Sequence, residues 1–136
     1  MAYNIININP LDLQPSKGVG IKIPFDGPTG LNITYTTKEA IKSNILNFLL
    51  TGKRERIMNP NFGAGIREQL FEQITSNTVE NIEDIITFGL NDYFPQIKLN
   101  NLTVSSSPDQ NLIQIYFSYF IKNTNIQDEI IINFNN

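Results

Sequence analysis

The stretch IQIYFSYFIK, residues 113–122, decides how the rest of the chain is read. Ile113, Ile115, Phe117, Tyr119 and Ile121 recur at every second position, while Gln114, Ser118 and Lys122 fall on the other side. That two-residue period is what a strand with one buried face requires. Residues 97–104 read as a preceding strand. Ile97 and Leu99 share one phase and Leu102 and Val104 the other, so an irregularity is expected at Asn100-Asn101. Residues 126–134 make a third strand. A loop over 105–111 containing Pro108-Asp109, and an Asn123-Thr124-Asn125 turn, link the three into an antiparallel meander.

Upstream of the meander the period changes from two to 3.6. Val79, Ile82, Ile86, Leu90 and Phe94 form one apolar stripe that ends at Pro95, and Asn77 with Glu80 supplies a starting cap. The prediction is a long helix over about 78–93. Thr36-Thr37-Lys38-Glu39 fits a capping box, Ile41, Ile45, Phe48 and Leu49 share a face, and Gly52 is placed to stop the helix in a left-handed conformation. This predicts a helix over about 37–51. Between the two, Ile66, Leu70 and Phe71 imply about two turns of amphipathic helix.

Before residue 36 the signal is weaker. Residues 20–25 alternate as a short strand, Asp26-Gly27-Pro28-Thr29-Gly30 is a turn cluster, and Leu31, Ile33 and Tyr35 alternate again, which predicts a hairpin. Residues 1–20, with Pro10, Pro15, Gly18 and Gly20, are expected to form an extended arm. The expected fold is therefore α+β: an N-terminal hairpin, two main helices plus a short one, and a C-terminal three-stranded antiparallel meander. Residues 21–136 would form a single domain.

With 136 residues the chain can bury a full core without staples, and 40% hydrophobic against 17% charged residues is the balance of a globular protein. It contains no Cys and no His, which removes thiolate chemistry, the commonest general base and the usual transition-metal ligands. Neither a cofactor nor a metal is expected. No basic n-region with an apolar run opens the sequence and no apolar run could span a bilayer, so a cytoplasmic product without a membrane partner is expected. Charge is polarised: residues 1–67 carry eight Lys/Arg against four Asp/Glu, and residues 68–136 carry two against nine. A chain with halves of opposite sign suits one whose faces meet different neighbours.

Chemistry, if present, would rest on few residues. Glu68 and Glu72, four apart on the short helix, have a spacing glycosidases could use, but the absence of Trp and their place opposite Leu70 and Phe71 favour a solvated polar face. Glu80, Glu83 and Asp84 suit the N-terminal end of a helix. Gly63-Ala64-Gly65 lacks the remaining glycine or lysine of a phosphate-binding loop and reads as a tight turn. The basic cluster Lys53, Arg54, Arg56 and Arg67 is too narrow for nucleic acid on an acidic domain. Local ion pairs with Glu55, Glu68 and Glu72 account for part of it, and a protein partner for the rest.

Residues 49–72 also carry a resemblance. Leu49-Leu50-Thr51-Gly52, then Lys53-Arg54-Glu55-Arg56, Asn59-Pro60-Asn61-Phe62-Gly63 and a short helix ending Leu70-Phe71-Glu72 resemble the baseplate wedge protein family of contractile phage tails, which includes the small baseplate subunit of type VI secretion systems. The correspondence runs from about Ile33 to the C-terminus. It implies a sheath-type meander and a non-enzymatic structural subunit of the virion tail baseplate, assembled in the host cytoplasm in several copies per ring. The implied partners are wedge core proteins and tail sheath subunits, the latter engaged by strand addition. Contacts would fall on Lys53, Arg54, Arg56, Asn59, Pro60, Phe62, Gly63 and Arg67. They would extend to Phe94, Pro95 and Gln96, which stand where the family has Glu-Pro-Arg. Glu129, Ile130, Ile131, Ile132 and Phe134 would offer the open edge. Some members are labelled lysozymes, so a peptidoglycan hydrolase is the alternative, and a nucleic-acid adaptor a second.

Overall fold

The computed structural model describes residues 10–14, 16–23, 25, 28, 30–71, 75–110 and 112–135. The expected arm over residues 1–9, part of the turn cluster (Asp26, Gly27, Thr29) and Glu72 lie outside the described residues.

The meander is β3 (Ile97–Ser107), β4 (Leu112–Ile121) and β5 (Gln127–Asn135), in that spatial order and antiparallel throughout. Ile113, Ile115, Phe117, Tyr119 and Ile121 are all buried, as their alternation requires. The register of β3 on β4 shifts between Leu99 and Asn101, at the expected irregularity, which lets Ile97 and Val104 both point inward. Strand β3 runs three residues further than expected, through Ser105-Ser106-Ser107, because each finds a partner on β4. The turn after β4 places Asn123 at φ 63°, a left-handed conformation that Asn tolerates, and the Thr124 hydroxyl donates to the Ile121 carbonyl at 2.9 Å.

Two helices cover the inner face of this sheet. Helix α1 (Thr37–Leu50) lies over β5 and α3 (Ser76–Tyr93) along β3, and a five-residue α2 (Ile66–Leu70) joins them. Ile41, Ile45, Phe48 and Leu49 from α1 and Ile82, Ile86 and Leu90 from α3 meet the sheet in one core. Gly89 gives the Phe48 ring its place: a Cβ there would lie 2.2 Å from Phe48 Cζ.

Several details differ from expectation. Helix α3 starts two residues earlier than predicted, capped by Thr75, whose amide donates to the Thr78 hydroxyl at 3.3 Å, instead of by Asn77. Helix α1 is capped as expected by Thr36, whose hydroxyl accepts from the Glu39 amide at 3.3 Å. It is capped a second time by Asp12, whose carboxylate accepts from the Thr37 amide and hydroxyl at 2.7 and 2.8 Å. Asp12 sits in a 3-10 turn (Pro10–Leu13), so this part of the arm is folded onto the helix instead of running extended. The N-terminal hairpin is short, β1 (Gly20–Ile21) against β2 (Ile33–Thr34). Phe71, expected on an apolar face, is 79% exposed.

Candidate assembly surfaces

The loop between α1 and α2 is built on polar backbone contacts. A helix leaves its last carbonyls unpaired, and here the loop returns to satisfy them: the Ala64 amide donates to Phe48 O at 3.0 Å and the Gly65 amide to Thr51 O at 3.1 Å. The expected left-handed stop at Gly52 is replaced by an extended Thr51 (ψ 129°), whose hydroxyl also donates to Asn47 O. Further out, the Arg54 amide donates to Pro60 O at 2.9 Å and the Phe62 amide to Asn59 O at 3.1 Å, closing the loop on itself. Three residues take positive-φ backbone to allow this, Arg54 at φ 65°, Gly63 at φ 112° and Gly65 at φ 65°.

Glu55 and Glu68 do not neutralise the arginines, contrary to the expected local ion pairs. The Glu55 carboxylate accepts from the Gly52 amide and the Glu68 carboxylate from the Lys53 amide at 3.2 Å. Among the described residues ion pairs occur only where Lys38 and Lys42 meet Asp128, at 3.8 and 3.6 Å. Arg54 and Arg67 therefore stand exposed without a carboxylate partner among the described residues, and Lys53 donates to the Asn61 carbonyl at 3.3 Å. The Arg56 guanidinium lies 3.9 Å over the Phe62 ring, which packs edge-on against Phe48 and Tyr93. Phe62 thus ties the loop to the core. Asn59 and Pro60 are exposed on the turn, and Gly63 is buried beneath it.

Phe94-Pro95-Gln96 divides. Phe94 is 7% exposed with its ring edge-on to Phe48 at 6.0 Å, so it belongs to the core and is not a surface substitute for the family's charged residue. Pro95 and Gln96 are exposed. Sequence reasoning missed Ile57 and Met58, at 95% and 96% exposed on the tip of the loop. Two apolar residues between Arg56 and Asn59-Pro60 were the only sign of them, and no period marked which way they face.

At the sheet, β5 pairs with β4 without interruption, from Leu112↔Asn135 to Phe120↔Gln127, and its other edge has no partner among the described residues. Its isoleucines divide between the two faces. Ile130 and Phe134 are buried against the helices and Ile132 partly so, whereas Ile131 turns outward, 57% exposed. Asp128 faces inward to the two lysines of α1, and Glu129 accepts from the Tyr116 hydroxyl at 3.1 Å on the outer face. That hydrogen bond, with the negative charge behind it, pushes the Tyr116 phenol above its usual range. Burial pushes the Tyr119 phenol up, with Asp128 adding to the effect, and its hydroxyl has no hydrogen-bond partner among the described residues.

Among the described residues no cluster of acidic side chains could hold a metal ion, and no helix is long and apolar enough to cross a membrane. Among the described residues the chain thus presents a helix-backed meander with one regular free edge, and arginines at 54 and 67 without carboxylate partners. The chain belongs to the family of baseplate wedge protein gp25, whose model matches residues 36–126. That match ends just before β5. The chain is 32% identical over 115 residues to baseplate wedge protein gp25 of Enterobacteria phage T4, covering 83% of this chain and 76% of that protein. A solved structure named for a tail lysozyme of Geobacter sulfurreducens has TM-score 0.66 at 28% identity, covering 76% of this chain and 95% of that one. A chain of the anti-feeding prophage baseplate shares the fold, with TM-score 0.51 at 20% identity over 80% of this chain and 77% of that one.

Proposed function

We propose that this chain is a non-enzymatic structural subunit of a contractile-tail baseplate wedge, acting as the initiator on which the first sheath subunits assemble. The observation that carries the reading is the contrast between the two edges of the sheet. Strand β3 is interrupted by its irregularity beside Lys98, devices that discourage a further strand. Strand β5 is regular over nine pairs, and an added strand would gain several backbone hydrogen bonds of about 0.5–1.5 kcal/mol net each. Arg54 and Arg67, without carboxylate partners among the described residues, and Arg56, held over Phe62, would grip wedge core proteins through carboxylates, and Pro95 and Gln96 would extend that contact. The chain acts in several copies per ring, within a virion tail baseplate assembled in the host cytoplasm. Neither nucleic acid nor a membrane takes part.

Hydrogen exchange of the chain with and without its sheath subunit tests the proposal. Protection should appear in β5; protection confined to β3, or none, would overturn strand addition there.

The name of the Geobacter relative raises the hydrolase alternative, for which Glu68 and Glu72 would be the acids. The Glu68 carboxylate is already engaged by the Lys53 amide, which favours a structural role for it. Purified chain is expected to leave peptidoglycan intact, and lysis abolished by Glu68→Gln would establish the hydrolase instead.

A further inference from the structure

Helix α3 carries a second surface that the wedge reading does not use. Asp84, Phe88 and Asp92 follow one another at four-residue intervals and so share one face of the helix. Phe88 is 67% exposed, an unusual place for a phenylalanine on a helix whose other face fills the core. The two aspartates flanking it are exposed and make no ion pair among the described residues. They border a groove of about 480 Å³ lined also by Phe48 and Gly89 of the core and by Lys53 and Asn61 of the α1–α2 loop. The same loop carries, at its tip, the exposed Ile57 and Met58, preceded by Arg54 and Arg56.

Lys53 and Asn61, which bracket the tip segment in sequence, both line the groove, so the tip springs from its rim, and the two complement each other in kind. One presents an aromatic ring between two carboxylates; the other presents two aliphatic side chains beside two guanidinium groups. A surface that holds both halves of a match is self-complementary, and the symmetric way to satisfy it is a two-fold pair, each copy giving its tip and receiving its partner's.

We propose that the free chain forms such a dimer, with Ile57 and Met58 of one copy seated against Phe88 of the other and Arg54 and Arg56 facing Asp84 and Asp92. The dimer goes beyond the wedge assignment and does not depend on it. One loop cannot serve a second copy and a wedge core protein together, so the dimer belongs to the unassembled chain.

The absence of cysteine makes the test clean. Asn59→Cys, next to the tip, and Asn81→Cys, at the groove, are prepared as separate proteins that keep Met58 and Phe88, mixed and treated with a short thiol cross-linker, so that any product joining the two must be intermolecular. The mixture should cross-link efficiently, whereas Asn59→Cys mixed with Asn133→Cys, on the outer sheet face, should not. Sedimentation of the wild-type chain over a range of concentrations should show monomer and dimer only. Phe88→Ala should weaken the dimer by about tenfold or more. Asp84→Lys with Asp92→Lys should abolish it while the circular dichroism is unchanged, and pairing that variant with Arg54→Glu, Arg56→Glu chains should restore association. A wild-type chain that sediments as a monomer throughout, or cross-linking no greater than the Asn133→Cys control, would overturn the proposal. Neither result bears on strand addition at β5.

Discussion

The meander and the α1–α2 loop both face outward and are held by opposite means. In the sheet, order is distributed: five inward side chains of β4 and their neighbours on β3 and β5 each bury apolar area, and no single polar contact fixes the register. In the loop, order is concentrated in a few backbone amides, two carboxylates, three positive-φ residues and one aromatic anchor. A surface meant to add a strand needs only a regular edge. A surface that presents arginines must keep its own carboxylates from neutralising them, and here Glu55 and Glu68 accept from backbone amides instead.

If the sheet depends on burial, removing a fully enclosed phenylalanine ring from its central strand should have the greatest effect on stability. Phe117→Ala is expected to cost about 3–5 kcal/mol, read by urea denaturation. A loss below about 1 kcal/mol, the scale of an ordinary surface change, would mean that the helices, not the sheet, hold the core.

The loop should be most sensitive at Gly63. An alanine Cβ there would lie 2.6 Å from Thr51 O and 2.8 Å from Gly52 O, at a φ of 112° that alanine resists. Gly63→Ala is expected to cost about 2–3 kcal/mol, and hydrogen exchange should place the disturbance in residues 51–65. Exchange that quickened equally in β4 would show that loop and sheet are one cooperative unit.

A carboxylate that only props the loop should matter less. Glu68→Ala is expected to lower stability by about 0.5–1.5 kcal/mol, the net worth of one hydrogen bond, and to speed exchange at the Lys53 amide.

Tyr119 tests a buried hydroxyl of the meander that has no hydrogen-bond partner among the described residues. Its phenol is raised in the folded state above the usual value near 10. The folded chain therefore binds a proton that the unfolded chain releases, so this contribution to stability is complete below about pH 10 and declines as pH rises beyond it. Tyr119→Phe removes the unpaired hydroxyl, is expected to be neutral or slightly stabilising at pH 7, and should flatten the alkaline decline relative to wild type. An unchanged alkaline slope would assign that decline to other groups.

The smallest effect on folding is expected at the loop's surface. Arg56→Ala loses an exposed cation–π contact of about 0.5–1 kcal/mol, yet should clearly reduce incorporation into wedges. A variant that incorporates normally would leave the loop without its docking role.

By itself the sequence determined everything that a period encodes: the strand over 113–121, the irregularity at Asn100-Asn101, the two long helices and their buried faces, and the residues whose pattern signalled the family. Burial enforces such periods because every second or every third to fourth side chain must meet the same core. Only the tertiary structure decided matters that depend on partners distant along the chain. Asp12 caps a helix 25 residues away, and Glu68 reaches back 15 residues to an amide where charge alone would have given it an arginine. Phe94 turned into the core while Ile57 and Met58 turned out, since a loop has no repeat to say which side is inside. The free edge of β5 belongs to the same class: a strand's pattern records its faces, and only the assembled sheet shows which strand has a single neighbour.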